Sequence, residues 1–184
     1  MRKKLLGAEH PDTLTSMENL AVIFRHQGRW NEAEQLQVEV VDMMKKLLGV
    51  EHPDTLTSME NLAVAFHHQG RWNEAEQLEV EVVDMRKKLL GVEHPDTLTS
   101  MGNLAATFCY QGRWNEAEQL QVEVVDMRKK LLGVEHPDTL RSMANLESTY
   151  QNQGRWNEAE HLHLEVMNTR KIIQLSTVEV KSLV

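Results

Sequence analysis

Nine histidines, one cysteine and an excess of carboxylates are the side chains of this chain most able to do chemistry, and their spacing limits what they can do. A helical metal site needs ligands on one face, typically two His four residues apart. His10, His52, His94 and His136 instead stand 42 residues apart, each followed by Pro-Asp, and are read as helix-start contacts. His67 and His68 are neighbours, about 100° apart on a helix, and His161 and His163 point to different sides. No metal ligand set and no cofactor are therefore expected. Cys109 is the only cysteine, which forbids an intrachain disulfide, and no repeating His or Asp accompanies it as a base. It reads as a free thiol. Glu32, Glu34 and Glu39 recur in every unit and read as a solvated face with turn contacts. No Gly-x4-Gly-Lys-Ser/Thr loop is present. No residue is assigned a catalytic role, and the chain is read as a non-enzyme.

The elements that carry these residues are copies of one another. The stretch His52 to Glu93 is written four times in succession, and the Trp series (Trp30, Trp72, Trp114, Trp156) and Gly series (Gly28, Gly70, Gly112, Gly154) keep the 42-residue period without insertion. A strict period of this size signals a solenoid. Residues 1–9 align with repeat ends at 43–51, 85–93 and 127–135, so the chain is read as beginning inside a repeat, a fragment or a truncated gene product. The expected division is a partial repeat at 1–9, repeats at 10–51, 52–93, 94–135 and 136–173, and a degenerate tail at 174–184.

Each unit reads as two helices. The first runs from about Pro11 to Gln27, with Pro at the first helical position, Asp12 at the positive end and Gly28 at the left-handed cap. Its apolar stripe is Leu14, Met17, Leu20, Ala21 and Phe24. The second runs from about Asn31 to Leu48, with the stripe Ala33, Leu36, Val40, Met43 and Leu47, the stop Gly49, and Lys45 and Lys46 in its last turn. Trp30 and its equivalents are expected in the hairpin core. One hairpin cannot bury both stripes, so each repeat must lean on the next.

Charge and hydropathy narrow the partners. With 20 Lys plus Arg against 28 Asp plus Glu, the chain lacks the basic surface that neutralises nucleic-acid phosphates. No apolar run approaches the roughly 20 residues that span a bilayer. After Met1-Arg2-Lys3-Lys4 only Leu5 and Leu6 precede Gly7, which is no signal peptide. One cysteine fits a reducing compartment, and a cytoplasmic location is expected.

The copies differ at few places. Repeats one to three disagree at seven of 42 positions, five of them in the first helix: Glu18/Glu60/Gly102, Val22/Val64/Ala106, Ile23/Ala65/Thr107, Arg25/His67/Cys109 and His26/His68/Tyr110. At about 100° per residue, all but the Ile23 set fall within an arc of roughly 100° beside the buried stripe. Repeat four extends that face with Arg141 in place of Thr15, then Ala144, Ser148, Gln151 and Asn152. Gly102 costs about 1 kcal/mol against Ala in mid-helix and either opens room for a ligand group or reflects drift. Glu147 replaces Ala21, Ala63 and Ala105 beside the buried stripe. An unpaired buried carboxylate is costly, so repeat four is expected to be the weakest.

Asn-Leu-Ala, Phe, Gln-Gly-Arg-Trp, Glu-Ala-Glu and Leu-Leu-Gly, with His-Pro-Asp opening each unit, resemble the tetratricopeptide repeats of kinesin light chains over residues 1 to about 171. The wording Asp-Thr-Leu-Thr-Ser-Met-x-Asn-Leu-Ala is more similar still to fungal arrays attached to NLR-like (STAND) receptor modules. The resemblance implies an all-α fold, a right-handed superhelix of antiparallel helix pairs, with the first helices lining a concave groove. It implies that Asn19, Asn61, Asn103 and Asn145 bond a bound peptide's backbone; the alternative is that these amides bond neighbouring helices. The expected groove then comprises Thr15, Glu18, Asn19, Val22, Arg25 and His26, continues through Glu60, Asn61, Val64, His67 and His68 to Gly102, Asn103, Ala106, Cys109 and Tyr110, and ends on Arg141, Asn145, Ser148 and Asn152. The function so implied is a non-catalytic module binding a peptide or protein surface, as the sensor part of a larger NLR-like protein. The alternative is a kinesin-type cargo adaptor. Those adaptors favour acidic, Trp-containing peptides, whereas Glu18 and Glu60 put negative charge on the same face. Neither nucleic acid nor membrane is expected as a partner. Self-association through apolar stripes at the array ends is a further reading. Gln174 stands where the terminating Gly belongs, so the last helix is expected to fray near residue 175, and Ser182-Leu183-Val184 fits a carboxy terminus that PDZ domains accept.

Overall fold

Every His-Pro-Asp copy starts a helix for the same local reason. His10 Nδ1 accepts from the Asp12 backbone N–H at 3.2 Å, and His52, His94 and His136 do the same with Asp54, Asp96 and Asp138. Pro at the first turn gives up an N–H that has no partner there anyway. Each of these helices is sixteen residues long and is followed, two positions after its last residue, by a left-handed glycine. Gly28 has φ 73°, its N–H donates to the Arg25 carbonyl at 2.9 Å, and the Arg29 N–H donates to the Phe24 carbonyl at 2.9 Å. This pair of bonds satisfies carbonyls that the helix end leaves open, and only glycine adopts the turn without a Cβ penalty. The same Arg lays its guanidinium over the aromatic ring of that turn, as Arg29 does on Phe24 at 3.9 Å and Arg155 on Tyr150 at 4.4 Å.

The structure, a computed structural model, describes residues 10–182, side chains excepted at 11 and 175–182. The elements are α1 (Pro11–His26), α2 (Trp30–Leu47), α3 (Pro53–His68), α4 (Trp72–Leu90), α5 (Pro95–Tyr110), α6 (Trp114–Leu132), α7 (Pro137–Asn152) and α8 (Trp156–Ser182), with no strand among the described residues. They form two compact units, residues 1–91 with α1–α4 and residues 92–184 with α5–α8.

Within each unit a first helix is sandwiched between two second helices. In the first unit Leu56, Met59, Leu62 and Phe66 of α3 share a core with Val41 of α2 and Val82 of α4. In the second, Leu140, Met143 and Leu146 of α7 share one with Val125 of α6 and Leu162 and Val166 of α8. Each such Leu or Met contributes roughly 1.5–3 kcal/mol on burial. Charged joints run alongside. Glu34 accepts from Arg71 at 2.7 Å and Gln69 at 2.8 Å, and Glu118 from Arg155 and Gln153 at the same distances. Glu34 is thus an inter-repeat tie rather than part of a solvated face.

Other expectations need correction. Leu20 is 39% exposed while Leu62, Leu104 and Leu146 are 5% exposed, because the core of Leu62 includes Val41 from the preceding repeat. On α2 the buried face is Ala33, Gln37, Val40, Val41 and Met44, with Leu47 45% exposed; a helix packed between two others turns a wider face inward than a single stripe. Trp30 lies not in its own hairpin's core but stacked on His68 of the next repeat, centroids 4.0 Å apart, and Trp156 is 66% exposed. Glu147 is not stranded: His163 Nδ1 lies 3.0 Å away and Gln151 donates to it at 3.1 Å. Without a glycine stop, α8 runs on through residue 175 to Ser182. The partial repeat at 1–9 and the terminal Leu183-Val184 lie outside the described residues.

Candidate functional site

In the first unit four of the eleven expected groove positions, Glu18, Glu60, His67 and His68, are engaged by their own neighbours. Glu18 accepts a hydrogen bond from Ser58 Oγ at 2.5 Å. Glu60 pairs with Arg86 at 2.9 Å, the Arg side chain 8% exposed. His67 Nε2 lies 2.9 Å from Glu79, whose side chain is 5% exposed, and His68 stacks on Trp30. Arg25 is half-buried, and burial holds its guanidinium below the usual range. Val22 is half-buried, while Thr15, Asn19, His26 and Val64 face solvent.

The second unit is more open at the equivalent places. A Cβ added to Gly102 would meet nothing within 4 Å. Beside it lies a cavity of about 370 Å³ between α5, α6 and α7, reached by Gly102, Asn103 and Ala106 from α5 and by Arg141 and Asn145 from α7. A second cavity of about 310 Å³ adds Cys109, Tyr110, Ser148 and Asn152 and shares Ala106, Asn145 and Gln121 with the first. All nine groove residues expected in this unit therefore line one of two abutting cavities. Arg141 is tied to Asp138 at 2.8 Å, and Asn152 donates to the Ser148 carbonyl at 2.7 Å. Among the described residues none of the Asn19, Asn61, Asn103 and Asn145 amides meets a hydrogen-bond partner. Each offers a donor and an acceptor to an extended chain.

The walls on the second helices were not anticipated. Gln121, Val124 and Arg128 of α6 line the first cavity and Trp114 the second. A signal was present, for the two remaining differences among repeats one to three are Gln37/Glu79/Gln121 and Met44/Arg86/Arg128. These stand across from varied first-helix positions. Arg86 meets Glu60, Glu79 meets His67, and Gln121 Nε2 lies 3.8 Å from Cys109 Sγ. Variation is thus paired across the hairpin. The fifth varied position is different, since Ala65 and Thr107 are fully buried and belong to the core rather than the groove.

Chemically the site offers amides, a thiol and a buried guanidinium. Cys109 Sγ has Thr149 Oγ1 at 3.5 Å and the Gln121 amide beside it, neither able to act as its base at neutral pH. Among the described residues no three His, Cys, Asp or Glu side chains gather as metal ligands, and no helix is long and apolar enough to cross a membrane.

No curated protein matches the chain. Two solved structures of a protein from Podosopora anserina, described as a kinesin light chain with nearly identical tetratricopeptide-like repeats, are each 36% identical to it. They cover 94% of this chain and 82% of their own, with TM-scores of 0.86, for a Q17M variant, and 0.84. BtubC (BKLC) from P. vanneervenii shares the fold at 19% identity and TM-score 0.80, over 90% of this chain and 66% of its own. The tetratricopeptide repeat model matches residues 1–46, 12–88, 80–130 and 96–172. With paired helices, glycine-capped turns and these matches along nearly its whole length, the chain belongs to the tetratricopeptide repeat family.

Proposed function

We propose that the chain is a non-catalytic protein-interaction module whose second unit binds an extended peptide along α5 and α7. The observation that carries this is the pair of abutting cavities lined by the positions at which the repeats differ, with the Asn103 and Asn145 amides unengaged beside them. Selection from a random peptide library against the full chain tests it. Binders are expected, and Asn103→Ala with Asn145→Ala weakens them by about tenfold or more, since each amide bond contributes on the order of 1 kcal/mol. Thermal unfolding of the double variant reports on fold. Unchanged affinity removes the amide clamp, and no binders at all removes the groove reading.

Near-identical units with one diversified face suit the sensor part of a larger cytoplasmic NLR-like protein. The likeness to structures described as a kinesin light chain favours a cargo adaptor as the second reading. The gene separates them: a neighbouring nucleotide-binding domain supports the sensor, an upstream heptad coiled coil the adaptor.

A further inference from the structure

The joint between repeats is built inside each unit, by α2 with α3 and by α6 with α7, and one half of it stands open on α8 and the other on α1. On α2 and α6 it consists of Val41 and Val125, 5% and 3% exposed, of the carboxylates Glu34 and Glu118, and, on α2, of the Trp30 ring. On α8 the same places hold Met167, Glu160 and Trp156. Met167 is 49% exposed, the Trp156 ring is exposed, and Glu160 has neither a hydrogen-bond nor an ion-pair partner, for among the described residues no first helix follows.

The other half is ready on α1. Arg29 Nη1 donates to Gln27 Oε1 at 3.0 Å and the guanidinium pairs with Glu32, as Arg71 does with Gln69 at 3.3 Å and with Glu74. The group that holds Glu34 in repeat two is thus already assembled in repeat one, without a carboxylate from a preceding repeat. Leu20 is exposed where Leu62 and Leu146 are buried, and Ile23 is 50% exposed where Ala65 is fully buried. The His26 ring faces solvent at the position from which His68 covers Trp30. The two open faces therefore match in three respects: apolar side chain to apolar side chain, carboxylate to guanidinium and amide, ring to ring.

We infer that a second copy of this chain docks end to end, its α1 on α8 in the register that α3 keeps on α2. Arg29 and Gln27 of one copy then meet Glu160 of the other, His26 stacks on Trp156, and Leu20 covers Met167. A second copy fits better than an unrelated helix, because it brings all three matching groups at the spacing of one repeat, and each pair is seen closed within the units. Open apolar surface of this kind favours association. The contact joins two different faces, so it builds rings or open chains. None of the residues lining the two groove cavities takes part, and the peptide reading stands or falls separately.

Sedimentation velocity of the full chain from about 1 µM to about 1 mM tests the inference. The average mass should rise with concentration. Met167→Lys spoils the face on α8 and Leu20→Lys the face on α1; both side chains are solvent-exposed, so the fold should be kept, which circular dichroism checks. Each variant alone should sediment as a monomer. An equimolar mixture should form a one-to-one complex and nothing larger, since each pair retains one intact face of each kind. A chain monomeric throughout the range, a single variant that still associates, or a mixture that stays monomeric overturns the inference. The register is read from the rings: His26→Ala and Trp156→Ala should each weaken association about threefold to tenfold, and together no more than either alone. Ile23→Ala, which gives α1 the residue that α3 buries there, should associate at least as tightly as the unaltered chain. Independent effects of the two ring variants, or a loss with Ile23→Ala, overturn the register.

Discussion

Repeats two and three share a frame and close it differently. Glu60 and His67 of α3 meet Arg86 and Glu79 of α4, whereas Gly102 and Cys109 of α5 face Arg128 and Gln121 of α6. One exchange removes charge without leaving a lone ion, His with Glu giving way to Cys with Gln. The other removes it from one side only, Glu giving way to Gly while Arg stays. The balanced exchange changes shape at little electrostatic cost, and the unbalanced one leaves a buried cation.

The largest test of this contrast removes the cation from each unit. Arg86→Met breaks the ion pair with Glu60, whose side chain is 19% exposed, and should cost about 3 kcal/mol in urea unfolding. Arg128→Met strands no carboxylate and should cost only about 1 kcal/mol, the scale of its hydrogen bonds. Equal losses would break the comparison. Next, His67→Cys and Glu79→Gln together install the repeat-three pair in repeat two. A double-mutant cycle should give a coupling of about 1–2 kcal/mol, the double variant losing less than the sum of the singles; additivity would mean the positions vary independently. Gly102→Ala should stabilise the second unit by up to about 1 kcal/mol, since helix propensity rises and nothing lies within 4 Å of the new Cβ. Any loss would show that the gap is structurally required.

The smallest effect is expected in acid. Glu118 is partly desolvated, which raises its pKa, but hydrogen bonds from Arg155 and Gln153 outweigh this and hold it below its ordinary value of 4.5. A lowered folded pKa gives stability that is present above pH 4.5 and lost as pH falls through the folded value. Glu118→Gln should flatten that slope in denaturant midpoints measured across the window. A slope unaltered by the substitution would remove this joint from the account.

Helix count, order and boundaries were legible because Pro at the start and Gly at the end act within a few residues. What neighbours do was less so. The exposure of Leu20 and the inward turn of Val41 and Met44 depend on which helix lies alongside, and periodicity within one helix carries no such information. Glu147 looked unpaired because its partner His163 is on the next helix. The groove residues of the second unit could be found by subtraction among copies. Arg128 and Gln121 emerge from the same subtraction only when the second helix is compared with the first, position by position.

The Arg that stacks on the turn's ring and, in repeats two and four, reaches back to the previous repeat's Glu has a consequence for how such a gene can change. Glu34 to Arg71 and Glu118 to Arg155 are the same joint, built from residues that do not vary among the copies. A unit duplicated or excised in register brings a matching socket at one end and a matching plug at the other. The number of units is then free to change by recombination without any new contact having to be invented, while each unit keeps its own wall residues.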